Sequence, residues 1–154
     1  MTAGTKNVAV DKYWHVIRSV VLGAPAADVW EVIGGFYTIQ EWHPDISKTE
    51  IPPAQTQTRQ LRRILTFPGL PVTTEELVSM DNDDFHYRYK WYQGPWGEEV
   101  KNYQASLRVF SGDLDTTCIV QWESTFDYPT DAISDFYWHG FHALEKRFPL
   151  GDQK

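Results

Sequence analysis

A chain of 154 residues that is 42% hydrophobic and 23% charged has the composition of one soluble globular domain, and at that length it buries roughly 70% of its unfolded surface without staples. Its formal net charge of −7 argues against nucleic acid and against an anionic membrane surface, because both select basic patches. A single cysteine excludes an intramolecular disulfide, and no segment approaches the ~20 apolar residues of a membrane span.

Residues 1–11 read as a flexible tail without the apolar run of a signal peptide, so a cytoplasmic protein is expected. Tyr13–Leu22 is β-branched and aromatic and predicts a first strand. Gly23 breaks it, and Pro25 suits the first turn of a helix. Val29, Trp30, Ile33 and Phe36 recur at helical spacing before Gly34-Gly35 ends the segment. Tyr37–Trp42 predicts a second short helix, stopped by Pro44. Short strands follow at Ile46–Ile51, Arg59–Phe67 and Val72–Met80, the last two joined by Pro68-Gly69-Leu70-Pro71. Phe85–Tyr92 alternates, with Phe85, Tyr87, Tyr89 and Trp91 on one face. Val100–Phe110, with Tyr103, Ala105, Leu107 and Val109 on one face, and about Asp115–Tyr128 complete the strands. Thr130–Phe148 carries apolar residues at i, i+3/i+4, i+7 and predicts a long closing helix. Short connections make the sheet antiparallel. One domain, residues 12–149, is expected between the tail and a short C-terminal tail, 150–154.

The aromatic fraction is high: 7 Trp, 8 Tyr and 8 Phe, or 15%. It reads either as a bulky core or as the lining of a pocket for a flat or greasy small molecule. The segment Ala24-Pro25-Ala26-Ala27-Asp28-Val29-Trp30, then Trp42-His43-Pro44, Thr74-Glu75-Glu76-Leu77, Val100-Lys101-Asn102-Tyr103 and Gln121-Trp122-Glu123-Ser124, in that order, resembles the START/Bet v 1-like (SRPBCC) superfamily, in its polyketide cyclase/dehydrase-type branch. The resemblance implies an α+β helix-grip fold: a curved seven-stranded antiparallel sheet around a long C-terminal helix, with two short helices after the first strand and an internal apolar cavity. Plant abscisic-acid receptors share the branch, and Pro68-Gly69-Leu70-Pro71 is similar to their gate. This chain departs from them at His43, where they carry a ligand-pairing lysine, and at Glu98-Glu99-Val100, where they carry a latch.

The resemblance turns Thr73, Glu75 and Leu77 toward that cavity. A carboxyl in an apolar cavity resists ionisation, which suits a general acid or base; the structural alternative is a carboxylate paired with an arginine. Arg62 is the expected partner, with Ile64 and Thr66 on its face. Glu123 is expected inward on the last strand, with Ile119, Gln121 and Thr125, although alternation leaves its face ambiguous. His43 is expected at the cavity rim, as a proton shuttle or a helix-end cap. Tyr89 and Tyr103 would donate to a carbonyl or steady an enolate. Tyr87, Trp91, Trp42, Tyr137 and Phe141 would line the pocket, with Leu70 and Trp96 at its entrance loops. The candidate catalytic set is therefore Glu75, His43, Tyr89, Tyr103 and Arg62.

His139 and His142 lie three apart without a third ligand, so no metal site is read from them. No nucleotide or phosphate motif appears, and no cofactor is called for. The expected function is a cofactor-independent cyclase, dehydratase or isomerase acting on a hydrophobic polyketide- or terpenoid-like substrate. The alternative is a non-catalytic carrier or sensor of a hydrophobic ligand. The expected partners are that small molecule alone, with no nucleic acid and no membrane, in a monomer or weak homodimer.

Overall fold

A computed structural model describes residues 13–53, 61–93 and 102–151. The strands are β1 (Trp14–Leu22), β2 (Lys48–Glu50), β3 (Arg62–Thr66), β4 (Thr73–Asp81), β5 (His86–Gln93), β6 (Gln104–Ser111) and β7 (Cys118–Phe126). They form one antiparallel sheet in the order β1-β7-β6-β5-β4-β3-β2. Helix α1 (Ala26–Ile33) follows β1, a single 3₁₀ turn (Ile39–Glu41) follows α1, and helix α2 (Ala132–Arg147) closes the described chain. This is the expected helix-grip architecture. The second short helix is only that 3₁₀ turn: the Trp42 and His43 N–H groups both close on Ile39 O, at 3.2 and 2.9 Å, and Pro44, which has no N–H, carries the ladder no further.

The sheet curls around α2 with the apolar faces of its longer strands turned inward. Tyr87, Tyr89, Leu107 and Trp122 of the sheet and Tyr137, Phe141 and Leu144 of α2 are fully buried; Trp122 packs on Tyr137 and Phe141, and Tyr87 on Trp30 and Phe36. Fully burying a side chain such as Leu107 or Phe141 contributes about 1.5–3 kcal/mol. Helix α1 adds Val29, Trp30 and Ile33 to the same core. The end of α2 is tied back to the start of the fold: the Gly23 N–H donates to Phe148 O at 2.9 Å.

Register shifts interrupt β4–β5 pairing between Thr74 and Glu75 and again between Leu77 and Ser79. Such bulges bend a strand and re-aim its side chains. Here they flank the acidic pair Glu75-Glu76, whose two carboxylates, as neighbours on a strand, point to opposite faces.

Candidate functional site

The interior acid is Glu75, 5% exposed, and its partner is Arg63, 0% exposed. Arg63 Nε donates to Glu75 Oε1 at 2.9 Å; Nη2 lies 2.7 Å from the same oxygen but off the hydrogen-bond axis. Nη1 donates to Phe36 O at 2.6 Å, and the guanidinium stacks 4.2 Å over the Phe36 ring. The Trp91 indole N–H donates to the other carboxylate oxygen, Oε2, at 3.1 Å. Burial pushes the Glu75 carboxyl up from its ordinary value, and the Arg63 charge and these hydrogen bonds pull it part of the way back.

Above the acid lies a set of phenols. Trp122 Nε1 donates to Tyr89 Oη at 2.9 Å, Tyr89 Oη lies 3.3 Å from Tyr103 Oη, and Tyr103 Oη lies 2.5 Å from Tyr137 Oη. Desolvation raises all three tyrosines, so they keep their protons. Trp91 stacks on Tyr103 at 4.3 Å, and Trp122 on Tyr137 at the same spacing. These rings fill most of the grip. Among the described residues the space left beside Glu75 is about 20 Å³, bounded by Phe67, Thr73, Trp91, Tyr103, Ile133 and Phe136. That is room for about one water molecule. Thr73 Oγ1 is buried and has no hydrogen-bond partner.

An open cleft of about 470 Å³ lies directly outside, between the β3–β4 loop, the Pro44-Asp45 turn and the first half of α2. Phe67 and Phe136 belong to both spaces. Their rings meet edge to face at 5.6 Å and form the partition. Leu70 sits on the cleft wall, and His139 Nδ1 pairs with Asp45 Oδ2 at 2.7 Å across its rim.

His43 departs from its expected position. It is 1% exposed, not on the rim. Its Nε2–H donates to Phe136 O at 2.8 Å, and its Nδ1 accepts from the Asp45 N–H at 3.1 Å. Both nitrogens are engaged, which fixes the neutral tautomer. Burial lowers its pKa to about 4. Trp42 packs beside it, and both rings lie against Trp122.

Two parities also differ from expectation. Arg63, Leu65 and Phe67 are the buried residues of β3 and its end, so Arg62 and Ile64 face outward. Arg62 pairs with Glu76 at 3.0 Å on the outer face. On β7, Val120, Trp122 and Ser124 are buried, and Glu123 faces outward to His15 at 2.7 Å. In both strands the larger apolar side chains choose the face: Leu65 with Phe67, and Val120 with Trp122 and Phe126. Phe67, Phe136, Arg63 and Trp122 were not among the expected site residues, yet that apolar count would have found Arg63 and Trp122. Of the residues expected to line a cavity, Thr73, Glu75, Trp91 and Tyr103 border the inner space; Tyr87, Tyr89, Tyr137, Phe141 and Trp42 are buried in the core, and Leu77 is half-buried against it. Trp96 and the loop around it lie outside the described residues. Among the described residues no group of three or more His, Cys, Asp or Glu could hold a metal, and no helix is long and apolar enough to cross a membrane.

Comparison with known proteins agrees with this fold. The fold matches an uncharacterized protein of Bacillus thuringiensis at 24% identity, covering 88% of this chain and 98% of that one, with a TM-score of 0.77. It matches a Thermobifida fusca protein, solved by solution NMR, at 28% identity, with 90% and 97% coverage and a TM-score of 0.76. The Zhui aromatase/cyclase from Streptomyces sp. R1128 shares the fold at 16% identity, with 88% and 93% coverage and a TM-score of 0.70. No curated protein matches the sequence. The family described as polyketide cyclase / dehydrase and lipid transport matches residues 13–144. Spanning most of the chain as that match does, it makes this protein a member of the polyketide cyclase/dehydrase family of the SRPBCC superfamily.

Proposed function

We propose that the chain is a cofactor-independent enzyme that moves a proton on a hydrophobic, polyketide- or terpenoid-like molecule, in a cyclisation, dehydration or isomerisation. The observation that carries this reading is a buried acid, Glu75, one aromatic layer behind an open cleft of about 470 Å³. A cleft of that size suits a small molecule. The apolar body of the substrate lies along Leu70, Phe67 and Phe136. Displacement of those two rings admits its reactive end to Thr73, Glu75 and Tyr103. Glu75 Oε2, held among the described residues by the Trp91 N–H alone, exchanges the proton. The Tyr103 phenol donates to the oxygen on which negative charge develops. His43 has no free nitrogen for this chemistry, so the proton falls to Glu75, and the cationic role expected of Arg62 passes to Arg63.

A carrier or sensor is the second reading, and one observation favours it. Arg63 already compensates Glu75, which weakens the carboxylate as a base. Incubation with a panel of poly-β-ketone and terpenoid probes, followed by mass spectrometry, separates the two. The enzyme converts a probe, and Glu75→Gln binds that probe but loses turnover by about 10²-fold or more. Recovery of every bound probe unchanged by the wild-type protein establishes the carrier instead.

A further inference from the structure

The side of the sheet away from α2 carries a groove of about 380 Å³ across β5, β6 and β7. Its floor follows from register. Arg88 on β5 stands opposite Ser106 on β6, which stands opposite Glu123 on β7. In the next row His86 faces Arg108, which faces Gln121. Ser106 is the short side chain among long ones, and the groove is the space it leaves. Strands two apart lie roughly 10 Å from each other, and an arginine and a glutamate are long enough to meet over a serine at that span. They do not meet here. The Glu123 carboxylate turns away to His15 Nε2 on β1, at 2.7 Å.

The basic side of the groove is left with unspent donors. Arg88 makes no hydrogen bond or ion pair among the described residues. Arg108 gives Nη2 to Asp84 at 2.6 Å, and its Nε has no partner. Burial, and after it the charges of Arg108 and Arg88, hold the His86 imidazole below its ordinary value, against a smaller pull from Asp84 and Asp81. Three basic side chains therefore share one wall in a molecule whose net charge is −7. Asp84 compensates Arg108 alone, so among the described residues the Arg88 guanidinium is the charge left for an anion from solution to meet.

We propose that this outer groove is a binding site for a compact oxyanion, a phosphate or a carboxylate group, seated over Ser106. The planar guanidinium of Arg88 supplies paired N–H donors to two oxygens of such a group. The Ser106 hydroxyl and the Gln104 and Gln121 amides supply shorter-range donors on the floor. Asp84 and Glu123 at the two margins limit the occupant to one compact anionic group and repel an extended polyanion. The site is separated from Glu75 by the thickness of the sheet, and it stands whether or not the interior reading does.

The test is a titration of ¹⁵N-labelled protein, at constant ionic strength, with inorganic phosphate, succinate and chloride. Phosphate or succinate produces saturable shifts of the β5, β6 and β7 amides around Ser106, and chloride does not. Whichever of the two saturates identifies the source as phosphate or carboxylate. Ser106→Leu fills the floor without altering charge and abolishes saturation. Arg88→Gln, on an exposed side chain, weakens binding about tenfold. Shifts that never saturate, that spread evenly over the surface, or that persist unchanged in Ser106→Leu overturn the proposal.

Discussion

Arg63 and Glu75 are each nearly or fully removed from water, and each is tolerable only because of the other. The guanidinium satisfies Glu75 Oε1 and the Phe36 carbonyl, and lies against the Phe36, Tyr87 and Tyr89 rings. Breaking such a pair from one side leaves a bare buried charge and costs about 3–5 kcal/mol, whereas neutralising both sides costs much less. Arg63→Met is therefore expected to lower the urea unfolding free energy by about 3–5 kcal/mol. In Arg63→Met/Glu75→Gln, where the amide still accepts from Trp91, most of that loss is recovered. Additive single and double effects would show that the pair is not coupled. The sequence carried half of this arrangement. Alternation through Thr73, Glu75 and Leu77 turns Glu75 inward, but the doublet Arg62-Arg63 offers a cation to either face. Only the neighbours Leu65 and Phe67 break the tie. Glu123 misleads for the same reason: alternation leaves its face open, and only the bulk of Val120, Trp122 and Phe126 turns it outward.

At the scale of elements, one contact fastens the segment after α1 to the closing helix. His43 donates to Phe136 O and lies stacked on the Phe136 ring at 4.0 Å. Gly140 makes the approach possible, because a Cβ there would stand 2.7 Å from His43 Cδ2. The Trp42-His43-Pro44 motif was legible as the end of a helical segment. That its imidazole reaches the backbone of α2, 93 residues on, was not, because nothing local specifies a long-range hydrogen bond. The contact has a pH signature. The imidazole titrates near 6.5 when unfolded and at about 4 here, because burial lowers it more than the Phe136 carbonyl and Asp45 raise it, with His139 lowering it a little further. Between those two values the unfolded chain holds a proton that the folded chain refuses, so stability rises with pH across the window and is complete above 6.5. A gap of that width is worth about 3 kcal/mol. His43→Gln keeps a donor for Phe136 O and does not titrate. Its unfolding free energy is expected to fall less steeply than wild type between pH 6.5 and 4.5 in urea melts. Equal slopes would remove His43 as the cause. The raised carboxyl of Glu75 acts in both proteins alike and cancels in the comparison.

At the scale of the whole molecule, the grip expected from the strand order is present, but its hollow is divided. Rings of Tyr89, Tyr103, Trp122 and Tyr137 occupy the depth of the sheet, the cleft lies outside, and Phe67 with Phe136 stands between. The aromatic richness of the sequence was compatible with a core or a pocket lining, and the same rings serve as both according to whether the partition moves. Phe136 is half-buried, and its replacement by Ala removes one leaf of that partition. The cleft and the inner space then join into one cavity that reaches Glu75. A fully buried Phe→Ala change costs ~3–5 kcal/mol, so the half-buried ring is expected to cost about 2 kcal/mol. Binding of an uncharged apolar fluorophore such as N-phenyl-1-naphthylamine is expected to rise severalfold in Phe136→Ala, titrated by fluorescence well below the unfolding midpoint. Leu107→Ala is the control: that side chain is fully buried on β6 and borders neither the cleft nor the inner space, and its loss destabilises at least as much. Enhanced binding in Phe136→Ala alone identifies the ring as the barrier to the interior. Equal enhancement in both variants would mean that the dye reports a loosened core, and the division into two spaces would then have no bearing on how a ligand enters.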